Sequence, residues 1–151
     1  MKAIRTIALG MTLAVPTTGF AGSDDVMVER PWARASIGTS RPGAAYLTIR
    51  NVGTDTVTLT GIRTAIAMTS QIHLTSTDTN GVSTMAPAGD IEIAPNEAVS
   101  LEPGGLHAML MKLQEPMEKG GRFPLTLVFD DGGEVMVEVP ILGIAARGPD
   151  G

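Results

Sequence analysis

Two histidines and two methionines are the residues of this chain best suited to chemistry. His107 and Met109 stand two apart in Gly104-Gly105-Leu106-His107-Ala108-Met109-Leu110-Met111, a segment that reads as a β-strand. Alternate side chains of a strand share a face, so both can point at one object. The other histidine is His73, and Met85 follows it twelve positions later. A thioether is soft and neutral, and imidazole is a borderline ligand. Two of each, with no thiolate or carboxylate, suit Cu(I) better than magnesium or calcium. A pair of methionines serves zinc poorly.

A second reading needs no metal. Methionine fills irregular gaps in cores, and nine methionines leave several for that purpose. Met27 and Met136 read as packing residues. Met68, Met111 and Met117 read as packing or exposed-patch residues, and Met111, on the face of His107 and Met109, is the spare ligand candidate. On local pattern alone the metal site and the packing reading both stand.

The elements that must position these residues are short strands. Val26-Met27-Val28-Glu29 reads as the first, and Trp32 after it as a core or core-rim anchor. Ala45 to Arg50 and Thr56 to Thr60 alternate well, with a turn at residues 51–55. Ala65 to Met68 is ambiguous between a strand and a short helical turn. Gln71-Ile72-His73-Leu74-Thr75 puts His73 on the polar face, with Ile72 and Leu74 opposite. Asn80-Gly81 is a hairpin dipeptide, so the strand carrying Met85 is expected to run back against that of His73. Strands at residues 91–93, 98–101, 123–129 and 134–139 complete the pattern. No long helical period, repeat or linker interrupts it. Eighteen glycines and ten prolines punctuate these strands, which indicates an all-β antiparallel sandwich or barrel.

Composition narrows the function classes. The chain has 151 residues, 43% hydrophobic and 18% charged, enough for one globular domain with a real core. A net charge of −5 and the lack of a basic stripe exclude a phosphate-neutralising nucleic-acid binder. Cysteine is absent, which removes thiol nucleophiles, C-x-x-C redox pairs and blue-copper electron transfer. Nor does any serine stand with a base, so no enzyme is expected.

Residues 1–21 read as a secretory signal peptide. Lys2 and Arg5 precede the apolar run Ile7 to Val15, and Gly19 and Ala21 occupy the minus-three and minus-one positions of a cleavage site. The run is too short to span a membrane. Cleavage after Ala21 would leave residues 22–151 as a single exported domain without a membrane span, and would take the net charge from −5 to −7.

The spacing resembles that of the periplasmic copper(A) chaperone family, PCu(A)C. Its pattern is a His, often followed by Met, then ten residues, a Met, twenty-one residues and His-x-Met. Here His73-Leu74, residues 75–84, Met85, residues 86–106 and His107-Ala108-Met109 fit every gap. Pro31-Trp32-Ala33-Arg34-Ala35, Gly43-Ala44-Ala45-Tyr46-Leu47, Ile91-Glu92-Ile93 and Pro103 to His107 resemble family stretches too. The likeness runs from about Val26 to Val139. Leu74 stands where many relatives carry methionine, but it lies on the face opposite His73.

The resemblance implies a cupredoxin-like antiparallel β-sandwich with Greek-key connections. It implies one Cu(I) held by His73, Met85, His107 and Met109, in a monomeric periplasmic copper chaperone. The implied acceptor is the CuA subunit of cytochrome c oxidase or its assembly factors. Residues 145–151 contain neither His nor Met, so no second copper site is expected there. Storage or resistance would use the same ligands. The rival from another class is a metal-free exported β-sandwich that docks a protein partner through an apolar methionine patch.

Overall fold

Among the described residues, alternating apolar and polar positions, broken repeatedly by Gly, Pro and Asn, leave strands as the only regular elements of any length. The computed structural model describes residues 23–151, so the expected signal peptide lies outside the described residues. A single 3₁₀ turn, Ser23–Asp25, leads into ten strands: β1 (Val26–Arg34), β2 (Gly43–Asn51), β3 (Val57–Arg63), β4 (Ala67–Thr77), β5 (Ser83–Pro87), β6 (Ile91–Ile93), β7 (Ala98–Leu101), β8 (Leu106–Leu113), β9 (Arg122–Phe129) and β10 (Glu134–Leu142). The ambiguous stretch resolves into a turn at Ala65–Ile66, after which β4 begins.

The strands pair in the order β5-β4-β8-β2-β1-β10-β9-β3-β6, with β7 on the other part of β2. Neighbours are antiparallel except β1 and β10, which run parallel through Ala33↔Ile141 and Arg34↔Leu142. Because sequence neighbours β2 and β3, β3 and β4, β5 and β6, and β8 and β9 are not ladder partners, the chain crosses between the two halves repeatedly. This is the connectivity of a Greek-key sandwich rather than a meander. One core collects inward residues of both halves, among them Leu47, Ile49, Leu110, Phe123, Leu127 and Phe129. Burying one face of each half on a shared core is what stabilises two layers against each other.

β1 does more than its first four residues suggest. Its ladder with β2 shifts between Glu29 and Trp32, and Arg30 there adopts a φ of 51°. Past this bulge Trp32 pairs with Tyr46, and their rings sit 4.4 Å apart over Ala146 in a second small core. The expected anchor role of Trp32 is therefore met. Asn51 closes β2 rather than opening a loop. Its side chain is buried, donating to Asp55 O and Ile93 O and accepting from Gly53 N. All of its polar capacity is used, so its burial carries little penalty.

Two methionine expectations are corrected. Met27 is 51% exposed and Met136 69% exposed, because period two turns Val26, Val28, Val135 and Val137 toward the core instead. Met117 is a true packing residue. It is fully buried, its backbone N and O both bond Ser36, and its sulfur lies where a side chain on Gly43 would go. Leu74, expected to share the inward face with buried Ile72, is exposed at the edge where β4 meets β5.

Candidate metal centre

The face of the sheet that carries the site is chosen by its opposite. Ile72 of β4 and Ala108 of β8 are paired and both buried, so they turn inward. Alternation then sends their neighbours His73 and His107 outward, and these two are also register partners. Met109 pairs with Gln71 on one side and with Ala44 of β2 on the other. Met85 of β5 pairs with Thr75. All four predicted residues therefore share one face of β5-β4-β8. His73 lies at the centre, with His107 directly opposite and Met85 and Met109 on its diagonals. Directly opposed side chains start about 4.5–5.5 Å apart at Cβ and diagonal ones about 7–8 Å, within reach of a thioether.

Two turns deliver these strands. The β4–β5 hairpin passes through Asn80-Gly81, with Gly81 at a φ of 79°, and Asp78 Oδ1 accepts from the amides of Asn80 and Val82 at 2.9 Å each. Before β8, Gly104 adopts a φ of 86°, a conformation that favours glycine, and Gly105 N donates to Glu102 O. The carbonyl of Gly105 then receives a hydrogen bond from His107 Nδ1 at 3.2 Å.

That hydrogen bond decides which nitrogen is available. A carbonyl only accepts, so His107 Nδ1 carries the proton and Nε2 holds the lone pair; Nε2 is buried and without a partner. His73 mirrors it. Its Nε2 donates to Gln71 Oε1 at 3.2 Å, and its buried Nδ1 is left with no partner. A buried, unpartnered nitrogen costs free energy unless something binds it. The two ring centroids are 6.1 Å apart with planes tilted by 46°. One ion bonded at about 2 Å to each ring would hold imidazole centroids about 5–6 Å apart, the upper end for a near-linear pair, so this separation is close to that of a bridged pair.

The surroundings are not those of a hard-ion site. Among the described residues no group of three or more His, Asp or Glu is placed to hold a metal. The soft groups differ in exposure: His107 is 6% exposed, whereas Met85 is 58% exposed at the edge strand. A cavity of about 540 Å³ opens beside His107, lined by Met85, His107, Met109 and Thr75 and also by Arg34, Arg41 and Tyr46. His73 of β4, the register partner of His107, is not part of this lining. Burial raises the Tyr46 hydroxyl above its ordinary pKa, partly offset by the Arg34 charge.

Gln71, Arg34, Arg41 and Tyr46 were not legible as site residues. Gln71 shares the polar face of His73, which is a usable signal. The arginines and the tyrosine reach the site only through the β1–β2 and β2–β8 pairings, which no local pattern reports.

The fold is that of a cupredoxin-like domain of the PCuAC class. Solved structures similar to the chain include the apo PCuAC domain from PmoF1, at 25% identity and a TM-score of 0.66, covering 79% of this chain and 94% of that one. The Cu(I) form of DR1885 from Deinococcus radiodurans matches at 27% identity and a TM-score of 0.59, covering 81% and 83%. The copper-bound PCuAC domain from PmoF2 shares the fold at a TM-score of 0.65 and 24% identity, covering 79% and 93%.

Residues 26–141 match the family described as "Putative lipoprotein LpqE-like", and the chain belongs to that family. A protein of Leifsonia xyli subsp. xyli named "Putative lipoprotein Lxx21020" is 36% identical over 120 residues, 79% of this chain and 70% of its own length. An uncharacterized protein of Rickettsia prowazekii is 30% identical over 116 residues, 74% of this chain. The chain spans 64% of that relative's length.

Proposed function

We propose that this protein is a periplasmic copper chaperone whose residues 22–151 form one domain binding a single Cu(I) through His73, Met85, His107 and Met109. The observation that carries the reading is the register pair His73–His107, each ring presenting a buried, unpartnered nitrogen on the sheet face that also carries Met85 and Met109. Neutral nitrogen and sulfur donors without a carboxylate suit a soft monovalent ion. The Cu(I)-loaded form of a solved relative at 27% identity supports copper as the cargo.

Delivery is favoured over storage by the asymmetry of the ligands. His107 is buried and fixed by Gly105 O, whereas Met85 lies exposed on an edge strand. An exposed thioether can yield its bond first, so an acceptor's ligand enters without the site unfolding. The copper thus passes by stepwise ligand exchange, toward the CuA subunit of cytochrome c oxidase or its assembly factors. The protein acts as a monomer and catalyses no bond-making of its own. The lipoprotein description of its family supports export.

The test is Cu(I) titration under reducing conditions in competition with a chelator, followed by X-ray absorption of the loaded protein. One tight equivalent with both nitrogen and sulfur scatterers is expected. Two tight equivalents would refute the single site. No competitive binding, or a purely nitrogen and oxygen shell, would refute the ligand set and favour a metal-free docking domain.

A further inference from the structure

The cavity beside His107 has a second, chemically different wall. The chain as a whole carries 16 acidic and 11 basic residues, yet Arg34 and Arg41 line this cavity and no carboxylate does. Neither arginine joins the ion pairs found among the described residues, which are Arg30–Asp150, Arg50–Glu29 and Arg63–Glu134.

Arg34 is held in place. Its Nε donates to Ala146 O at 2.7 Å, and its guanidinium carbon lies 5.9 Å from the Trp32 ring centroid and 5.7 Å from that of Tyr46. The bond to Ala146 uses Nε alone, so the terminal nitrogens remain for a ligand. A planar fork already ordered by stacking loses little freedom on binding a planar anion. Arg41, on the exposed loop before β2, faces the same space. The cavity is of small-molecule size.

We infer that this wall is a carboxylate-binding subsite, in which Arg34 and Arg41 receive a carboxylate of the molecule that exchanges copper with the neighbouring ligands. The link to copper rests on the proposed function; the carboxylate site itself does not. Bidentate guanidinium–carboxylate pairing supplies direction as well as charge attraction. It would orient an incoming copper complex with its metal end toward Met85, His107 and Met109, which share the cavity. The carboxylate can belong to a free small acid or to an Asp or Glu side chain of a protein acceptor.

The experiment uses copper-free protein, so its failure leaves the copper site standing, and a failed Cu(I) titration leaves this result standing. Two probes, succinate and a capped Gly-Glu-Gly tripeptide, are titrated while amide and arginine side-chain NMR signals are followed. Saturable shifts confined to residues around Arg34, Arg41 and Tyr46 are expected, with binding weakened about three- to tenfold in Arg41→Gln. Arg34→Lys keeps the charge but loses the fork and is expected to weaken binding as well. Should that variant fold poorly, Arg41→Gln alone decides. Tighter binding of succinate supports a small-acid source, and tighter binding of the peptide supports a protein side chain. No saturation with either probe, or binding unchanged in Arg41→Gln, overturns the subsite.

Discussion

His73 and His107 are exact register partners across β4 and β8, thirty-four residues apart in the chain and 6.1 Å apart at their ring centres. Each is fixed by a hydrogen bond to a residue two positions earlier, Gln71 Oε1 for His73 and Gly105 O for His107. The sheet therefore sets the distance, and the two local bonds set which nitrogen of each ring is left without a partner. As the proposed ligand pair, two histidines held this way are preorganised, because little would need reordering to take an ion.

The first consequence is a trade between stability and binding. His107 is buried with Nε2 unpartnered, so the copper-free protein bears the cost of an unmet polar atom. His107→Leu keeps the approximate volume and removes that atom. Chemical denaturation of the copper-free variant is expected to show stability unchanged or raised by about 1 kcal/mol. Its Cu(I) affinity is expected to fall more than about 100-fold, beyond the usual cost of losing an outer-sphere partner. A clear loss of stability would mean that His107 holds the fold rather than waiting for a ligand.

Gln71 is a positioning residue for His73. With its Oε1 removed in Gln71→Leu, Nε2 loses the acceptor that holds its proton, and the two tautomers mix. Ring-nitrogen NMR is expected to show His73 shifting from a single tautomer to a mixture, with His107 unaffected. Cu(I) affinity should drop about 10-fold, and Gln71→Glu, which keeps an acceptor oxygen, should restore both readouts. Ring shifts at His73 that stay put in Gln71→Leu would remove Gln71 from this role.

Much of this arrangement is legible in the sequence, and the remainder is not for identifiable reasons. The Asn80-Gly81 dipeptide predicts the β4–β5 hairpin, and alternation around Ile72 predicts the outward face of His73. The all-β fold follows from the strand pattern. The register of β4 against β8 depends on two crossings of the sandwich, out to β6 and back to β7, and only the family spacing hints at it. The parallel β1–β10 contact is likewise invisible, because no hairpin joins those strands. Met27 and Met136 mislead because a thioether at an exposed strand position looks the same in sequence as one in a core. Their valine neighbours carry the better signal.

Asp78 governs Met85, the most exposed of the proposed ligands. All five residues of β5 are exposed, and β4 is its sole neighbour, so the hairpin loop must hold Met85 in register. Asp78 Oδ1 accepts from two loop amides, and Asp78 N donates to Val82 O at 3.0 Å. Asp78→Ala removes the two side-chain bonds. In an exposed loop, water replaces them in part, so global stability should change by no more than about 1–2 kcal/mol. The larger effect is local: β5 frays more often, which raises amide exchange there while leaving the core strands protected. Copper release to a competing chelator should quicken in parallel, because Met85 leaves its place each time the hairpin opens. Asp78→Asn retains Oδ1 and should behave as wild type. If exchange in β5 rises while the release rate does not, Met85 is no copper ligand, and the site is held by His73, His107 and Met109 alone.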